Sequence, residues 1–167
     1  MRKNTMPIFL VAAVAILWLA GGTAQAHTLG FSSVDGCEIR WQESTQYDTE
    51  RVAAEDGWEA LKGGDNCVDI LPDTIFTVND LEWFDVDDED VAVEQFHYYS
   101  GTGVADEIYL NDFYMVSLSA CGKKSVAMHE MGHAHGLAHT FDPEVMTEDS
   151  YPCVIGTHDT SDYNSLW

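Results

Sequence analysis

The chain has 167 residues, 46% of them hydrophobic, with 29 acidic against 7 basic side chains and a formal charge of −22. That size suits one domain with a real core, and the acidic excess excludes nucleic acid and anionic membrane as electrostatic partners. A solvated acidic surface, a high-salt setting or bound calcium would each accommodate the charge.

Arg2 and Lys3 precede an unbroken apolar run from Ile8 to Ala20, and Ala24-Gln25-Ala26 has the small-x-small form of a cleavage site. Residues 1–26 therefore read as a secretory signal peptide, cut after Ala26. The run falls short of the roughly 20 residues a membrane span needs. Residues 27–167 are then a secreted domain without a membrane anchor, expected to be a monomer. Losing Arg2 and Lys3 takes the charge from −22 to −24. Cys37, Cys67, Cys121 and Cys153 form an even set in a secreted chain, which suggests two disulfides and leaves three pairings open. Cys37–Cys67 with Cys121–Cys153 is favoured, because the second loop brackets the motif described below.

From Cys37 to Gln42 apolar and polar residues alternate as in a strand. Asp48 or Thr49 can cap a helix reaching about Lys62, with Tyr47, Ala54, Trp58 and Leu61 on one stripe and Gly63-Gly64 as its stop. Val68–Leu71 and Thr74–Val78, separated by Pro72, are short, apolar and β-branched, so both are expected strands. Further strands are expected at Leu81–Val86, Val91–Tyr99 and Glu107–Asn111. The acidic run Asp85–Asp90 lacks the glycine and spaced ligands of an EF-hand. A solvated loop is the default there, and an irregular calcium site is the alternative. His97 reads as a hydrogen-bonded residue and not a ligand. A loop follows Asn111, then a helix from Lys124 or Ser125 to His135 with Ser125 as its cap. A last short helix starts at Asp159 or Thr160.

The chemistry is concentrated in His129-Glu130-Met131-Gly132-His133-Ala134-His135-Gly136-Leu137-Ala138-His139. On a helix, residues four apart share a face, so His129 and His133 can address one ion. Glu130, beside the first ligand, can reach a water on that ion. Gly136 permits the left-handed exit that returns His139 as a third ligand. Three nitrogens with an open fourth position describe a catalytic zinc site, whereas structural zinc sites are closed by four protein ligands. His135 falls on the opposite face and is not expected to touch the same ion.

The spacing H-E-x-x-H-x-x-G-x-x-H, followed by Met146, resembles the matrixin-type metzincins, in particular their short bacterial secreted members. Glu38–Trp41 resembles that family's first strand, Ala54 and Trp58 its first long helix, Ile108–Asn111 the strand bordering the substrate cleft, and Ser161–Trp167 the C-terminal helix. The resemblance implies an α/β (α+β) zincin-like fold: a twisted mixed sheet, two long helices and a short terminal helix, with residues 27–167 as one catalytic domain. It implies a zinc endopeptidase acting on protein or peptide substrates. His129, His133 and His139 would hold Zn2+, Glu130 would be the general base for the attacking water, and Met146 would be the Met-turn residue under the histidines. Two departures stand out. Thr147-Glu148 follows the methionine where animal members carry Tyr-Pro, and the surroundings of Cys37 lack the arginine-cysteine-glycine core of their cysteine switch. Two other readings remain: a non-catalytic zinc-binding protein on the same fold, and a copper oxidase that clamps its metal with an N-terminal His27.

Overall fold

The computed structural model describes residues 27–63, 67–90, 95–101, 103–141, 143–148 and 150–167, without the Phe96 side chain. The expected signal peptide lies outside these residues. The elements run β1 (Glu38–Glu43), α1 (Asp48–Glu59), β2 (Asp69–Pro72), β3 (Leu81–Val86), β4 (Gln95–Tyr98), β5 (Asp106–Asn111), α2 (Asp112–Met115), α3 (Ala120–Ala134) and α4 (Thr157–Leu166). The sheet order is β2-β1-β3-β5-β4, with every pairing parallel except β4 against β5. The fold is thus α+β with a mixed sheet.

Period-two alternation decides which sheet face is covered. Ile39, Ile70, Leu81, Trp83, Ile108 and Leu110 point one way and are buried. Their neighbours Arg40, Gln42, Glu82 and Glu107 lie on the other face and are partly exposed. On that face Phe84 and Tyr109 stack at 5.5 Å between ring centroids. Helices α1 and α3 cover the apolar face. The stripe Tyr47, Ala54 and Trp58 of α1 is buried, and Trp58 donates its indole N–H to the Met128 carbonyl of α3 at 2.9 Å.

Several boundaries differ from expectation, each for a local reason. Thr74–Val78 is not a strand but a turn. Thr77 Oγ1 donates to Asp73 Oδ1 at 2.5 Å and accepts from Thr74 N–H at 2.8 Å. These side-chain bonds compete with a sheet ladder and leave Ile75, Phe76 and Val78 exposed. Helix α3 starts at Ala120, not near Ser125, because Ser119 is the cap and accepts from Gly122 N–H at 3.1 Å; Ser125 is buried inside the helix. No side chain caps α1 at Tyr47, and Asp48 pairs with Arg51 instead. Helix α4 starts at Thr157, where the carboxylate of Glu144 accepts from His158 N–H and Asp159 N–H at 3.3 and 3.4 Å. The expected strand Val91–Tyr99 is seen as Gln95–Tyr98, its first residues 91–94 lying outside the described ones.

Both favoured disulfides are formed, Cys37–Cys67 and Cys121–Cys153, and the described residues hold no free cysteine. The second ties the start of α3 to the segment leading into α4. No helix among the described residues is long and apolar enough to cross a membrane.

Helix α3 packs closely on its neighbours at Gly132. A Cβ there would lie 2.2 Å from Met146 Sδ and 2.9 Å from Trp58 Cζ2. Both contacts are side chains at full burial, so neither can retreat without opening the core. Gly132→Ala is expected to cost about 1–3 kcal/mol by overpacking, read as a lower urea midpoint at unchanged slope. An unchanged midpoint would show that Met146 and Trp58 move aside freely.

Candidate metal centre

His129 and His133 lie one turn apart on α3, and the turn after the helix supplies His139. Gly136 takes φ +94°, the left-handed region a Cβ resists. A Cβ there would also meet the Phe31 carbonyl oxygen at 2.9 Å. That close approach belongs to a docked N-terminal segment, in which Leu29 N–H donates to Gly136 O at 2.8 Å and Ser33 N–H to Ala134 O at 2.7 Å. The reversal brings ligand atoms of His129, His133 and His139 within 4.8 Å of one another.

Each imidazole is held through Nδ1. His129 Nδ1 lies 2.8 Å from the Val145 carbonyl oxygen, His133 Nδ1 2.8 Å from that of Leu137, and His139 Nδ1 2.6 Å from Glu148 Oε1. Oxygens there can only accept, so Nδ1 carries the proton and Nε2 of a neutral ring keeps its lone pair. Burial lowers His129 to about 4, against the raising effect of the Val145 carbonyl. Burial and then the neighbouring His129 lower His133 to about 3. Both are therefore neutral at pH 7. The Nε2 atoms of His133 and His139 face each other at 3.1 Å, an arrangement that calls for a cation between them. Tetrahedral bonds of about 2.0 Å to imidazole nitrogen give ligand–ligand edges of roughly 3.3 Å, so the spacing fits a metal ion.

Glu130 is 2% exposed. Its Oε1 lies 4.0 Å from His129 Nε2, and its Oε2 has no hydrogen-bond partner. Burial pushes its carboxyl up to about 8, opposed by nearby Gln95. The cluster lines a cleft of ≈490 Å³, walled by Gln95 and His97 of β4 on one side and by Thr147, Glu148 and Tyr151 on the other. The strand beside the cleft is therefore β4, the sheet edge, and not the 108–111 stretch expected there; β5 lies inside the sheet.

The remaining expected residues fall as follows. Met146 is fully buried against Gly132, between the two helical ligands. His135 points away, its Nδ1 2.8 Å from Met131 O and its ring against Trp58 and Tyr163. His97 stands outside the triad, its Nε2 3.5 Å from the hydroxyl of Ser33, which donates to Asp106 Oδ2 at 2.6 Å. The acidic run contributes no metal-holding group among the described residues. Asp85 instead accepts from Thr45 Oγ1 at 2.5 Å and Gln46 N–H at 2.7 Å.

Sequence reasoning missed Glu148 and Asp159. Asp159 is fully buried and accepts from the backbone N–H of Val145 at 2.6 Å and Met146 at 3.3 Å, so α4 fixes the segment whose carbonyl orients His129. The one available signal for Glu148 was a carboxylate two residues after Met146.

Removing a group that orients a ligand commonly weakens metal binding about 10–100-fold. Glu148 is largely exposed, so Glu148→Ala is expected near the lower end, measured by competition with a chromophoric chelator. Unaltered affinity would remove it from the site. A second expectation concerns the metal-free chain. Burial holds His135 at about 4, below the 6.5 of an unfolded chain. Both states are neutral above pH 6.5; below it only the unfolded chain takes up the proton. Stability should therefore fall as pH drops from 6.5 towards 4, by about 3 kcal/mol from His135 alone at about 1.4 kcal/mol per unit. A urea midpoint flat across that window would contradict it.

No family model matches the chain, and no curated protein matches it. Solved structures do match, 45 chains in all. One belongs to the GM1 bound form of the ECX AB5 holotoxin: the TM-score is 0.57 at 10% identity, over 78% of this chain and 80% of that one. At that identity the likeness is one of fold alone.

Proposed function

We propose that the chain is a secreted zinc-dependent endopeptidase of the metzincin kind, with Zn2+ on His129, His133 and His139 and Glu130 as general base. The observation that carries the reading is the convergence of three Nδ1-anchored imidazoles beside a buried carboxylate oxygen without a partner, on the floor of an open cleft. A site that only held zinc would have no use for that oxygen. The two disulfides suit an oxidising compartment, in line with export.

Zinc, when bound, supplies a water of pKa lowered from about 15.7 to about 7 and polarises a carbonyl. The chain's own residues do the rest. Glu130 Oε2 accepts a proton from the attacking water; a cation a few ångströms away favours its ionised form despite burial. As the water oxygen bonds to the scissile carbon and the C–N bond breaks, Glu130 returns that proton to the departing amine. The Val145 and Leu137 carbonyls and Glu148 keep the three rings in place meanwhile. Among the described residues β4 is a sheet edge beside the cleft, which suits an extended peptide laid as an added strand.

Glu130→Gln is nearly isosteric and touches no ligand, so it is expected to keep zinc while losing on the order of 100-fold or more in cleavage of a denatured protein mixture. His133→Ala should instead lose the zinc, since two nitrogens hold it poorly. Wild-type chain that binds zinc and cuts nothing would identify a non-catalytic zinc protein. A zinc-loaded Glu130→Gln chain with full activity would discard the assigned base.

A further inference from the structure

A second group of ligating side chains gathers at α4: His27, His158 and Asp162, whose ligand atoms also lie within 4.8 Å of one another. Three nitrogens converge on a single oxygen. The backbone nitrogen of His27 is 3.2 Å from Asp162 Oδ2, His27 Nδ1 is 3.1 Å from it, and His158 Nδ1 is 3.2 Å from it. The third approach has the distance of an ion pair but not the direction of a hydrogen bond, and His158 Nδ1 is a buried atom without a hydrogen-bond partner. Asp162 is 3% exposed. Phe141 closes one side, edge-on to both rings at centroid distances of 6.3 and 4.6 Å.

We infer that His27, His158 and Asp162 form a second metal site, which takes a divalent transition ion of the imidazole-preferring class and is completed by the α-amine of a chain that begins at His27. The inference rests on the cut after Ala26 for that amine and is independent of proteolysis. The amine and Nδ1 of one N-terminal histidine close a six-membered chelate ring with a metal, and the two atoms already point to one spot. Nitrogen–oxygen contacts of 3.1–3.2 Å fall between the cis edges of square-planar and tetrahedral polyhedra, roughly 2.8 and 3.3 Å for bonds near 2.0 Å. Three nitrogens and one carboxylate oxygen suit Cu2+, Ni2+ or Zn2+, and at equal availability Cu2+ binds tightest. Calcium and magnesium, which prefer all-oxygen sites, are excluded by the same donor set. With such an ion in place, the first residue of the chain is pinned to its last helix.

The probe is Cu2+ alone, added to chelator-stripped chain beginning at His27 and followed by equilibrium dialysis and electron paramagnetic resonance. Wild type should bind two ions, and His158→Ala should lose the second while keeping the first. Starting the same chain at Ala26 turns the amine into an amide and alters no side chain of the folded domain. That change should weaken the second ion at least about tenfold, the least that even an indirect ligand contact contributes, and change its nitrogen couplings. His133→Ala should keep the second ion and lose the first, which separates failure of this site from failure of the triad. If the chains beginning at Ala26 and at His27 bind Cu2+ equally, or if His158→Ala still binds two ions, His27 merely pairs with Asp162 and the inference is overturned.

Discussion

Each histidine of the triad has its Nδ1 committed to an oxygen of the protein, and everything else about the site depends on that constraint. With Nδ1 tied to Val145, Leu137 and Glu148, no ring can flip without abandoning its anchor; the Nε2 atoms of His133 and His139 face each other, and that of His129 lies 4.0 Å from Glu130 Oε1. Burial then keeps His129 and His133 unprotonated, so the cost of gathering three ligands is met by the fold before any ion arrives. This is preorganisation in its plain sense: supporting groups fix orientation, and the ion finds lone pairs already in place.

The supporting oxygens come from separate parts of the chain. Leu137 lies in the exit turn of α3, where Gly136 alone can take the required backbone angle beside Phe31. Val145 is held by a buried Asp159 from α4. Below them, Met146 and Trp58 fill the space that Gly132 leaves open. The Cys121–Cys153 bridge joins the start of the ligand helix to the segment that carries these supports. The geometry of the site is therefore a property of the whole α1–α3–α4 packing and not of the motif alone.

What could be seen in the sequence was whatever depends on local spacing. Residues 129, 133 and 139 could be placed around one point because helical periodicity and one glycine determine it, and His135 could be set apart by the same count. The β3 boundaries and the buried stripe of Tyr47, Ala54 and Trp58 followed from alternation and period. Features set by distant partners were not legible. Nothing near Asp159 says that it will reach back to the backbone of residues 145 and 146, and nothing near Thr157 announces the Glu144 carboxylate that lets α4 begin early. Thr74–Val78 failed differently: its composition is that of a strand, but the side chains of Asp73, Thr74 and Thr77 bond one another and the local backbone in place of a sheet ladder. The helix boundary at Ala120 was hidden because Gly122 reads as a loop residue, while the Ser119 hydroxyl bonds it in place.

The docking of residues 27–33 across the end of α3 also orders events in time. Their partners are Ala134, Gly136, Ala138 and, across 135 positions, Asp162. A chain made from its N-terminus cannot satisfy this segment until nearly all of it has been made, since closing so long a loop requires the far end to exist. The sheet strands and α1, whose partners lie nearer in sequence, can pair first. Residues 27–33 are thus among the last to settle, and they settle against the helix that carries the candidate ligands. Until that segment docks, Gly136 O and Ala134 O lack these donors, so the turn that presents His139 is completed only when residues on either side of a long stretch of chain have met.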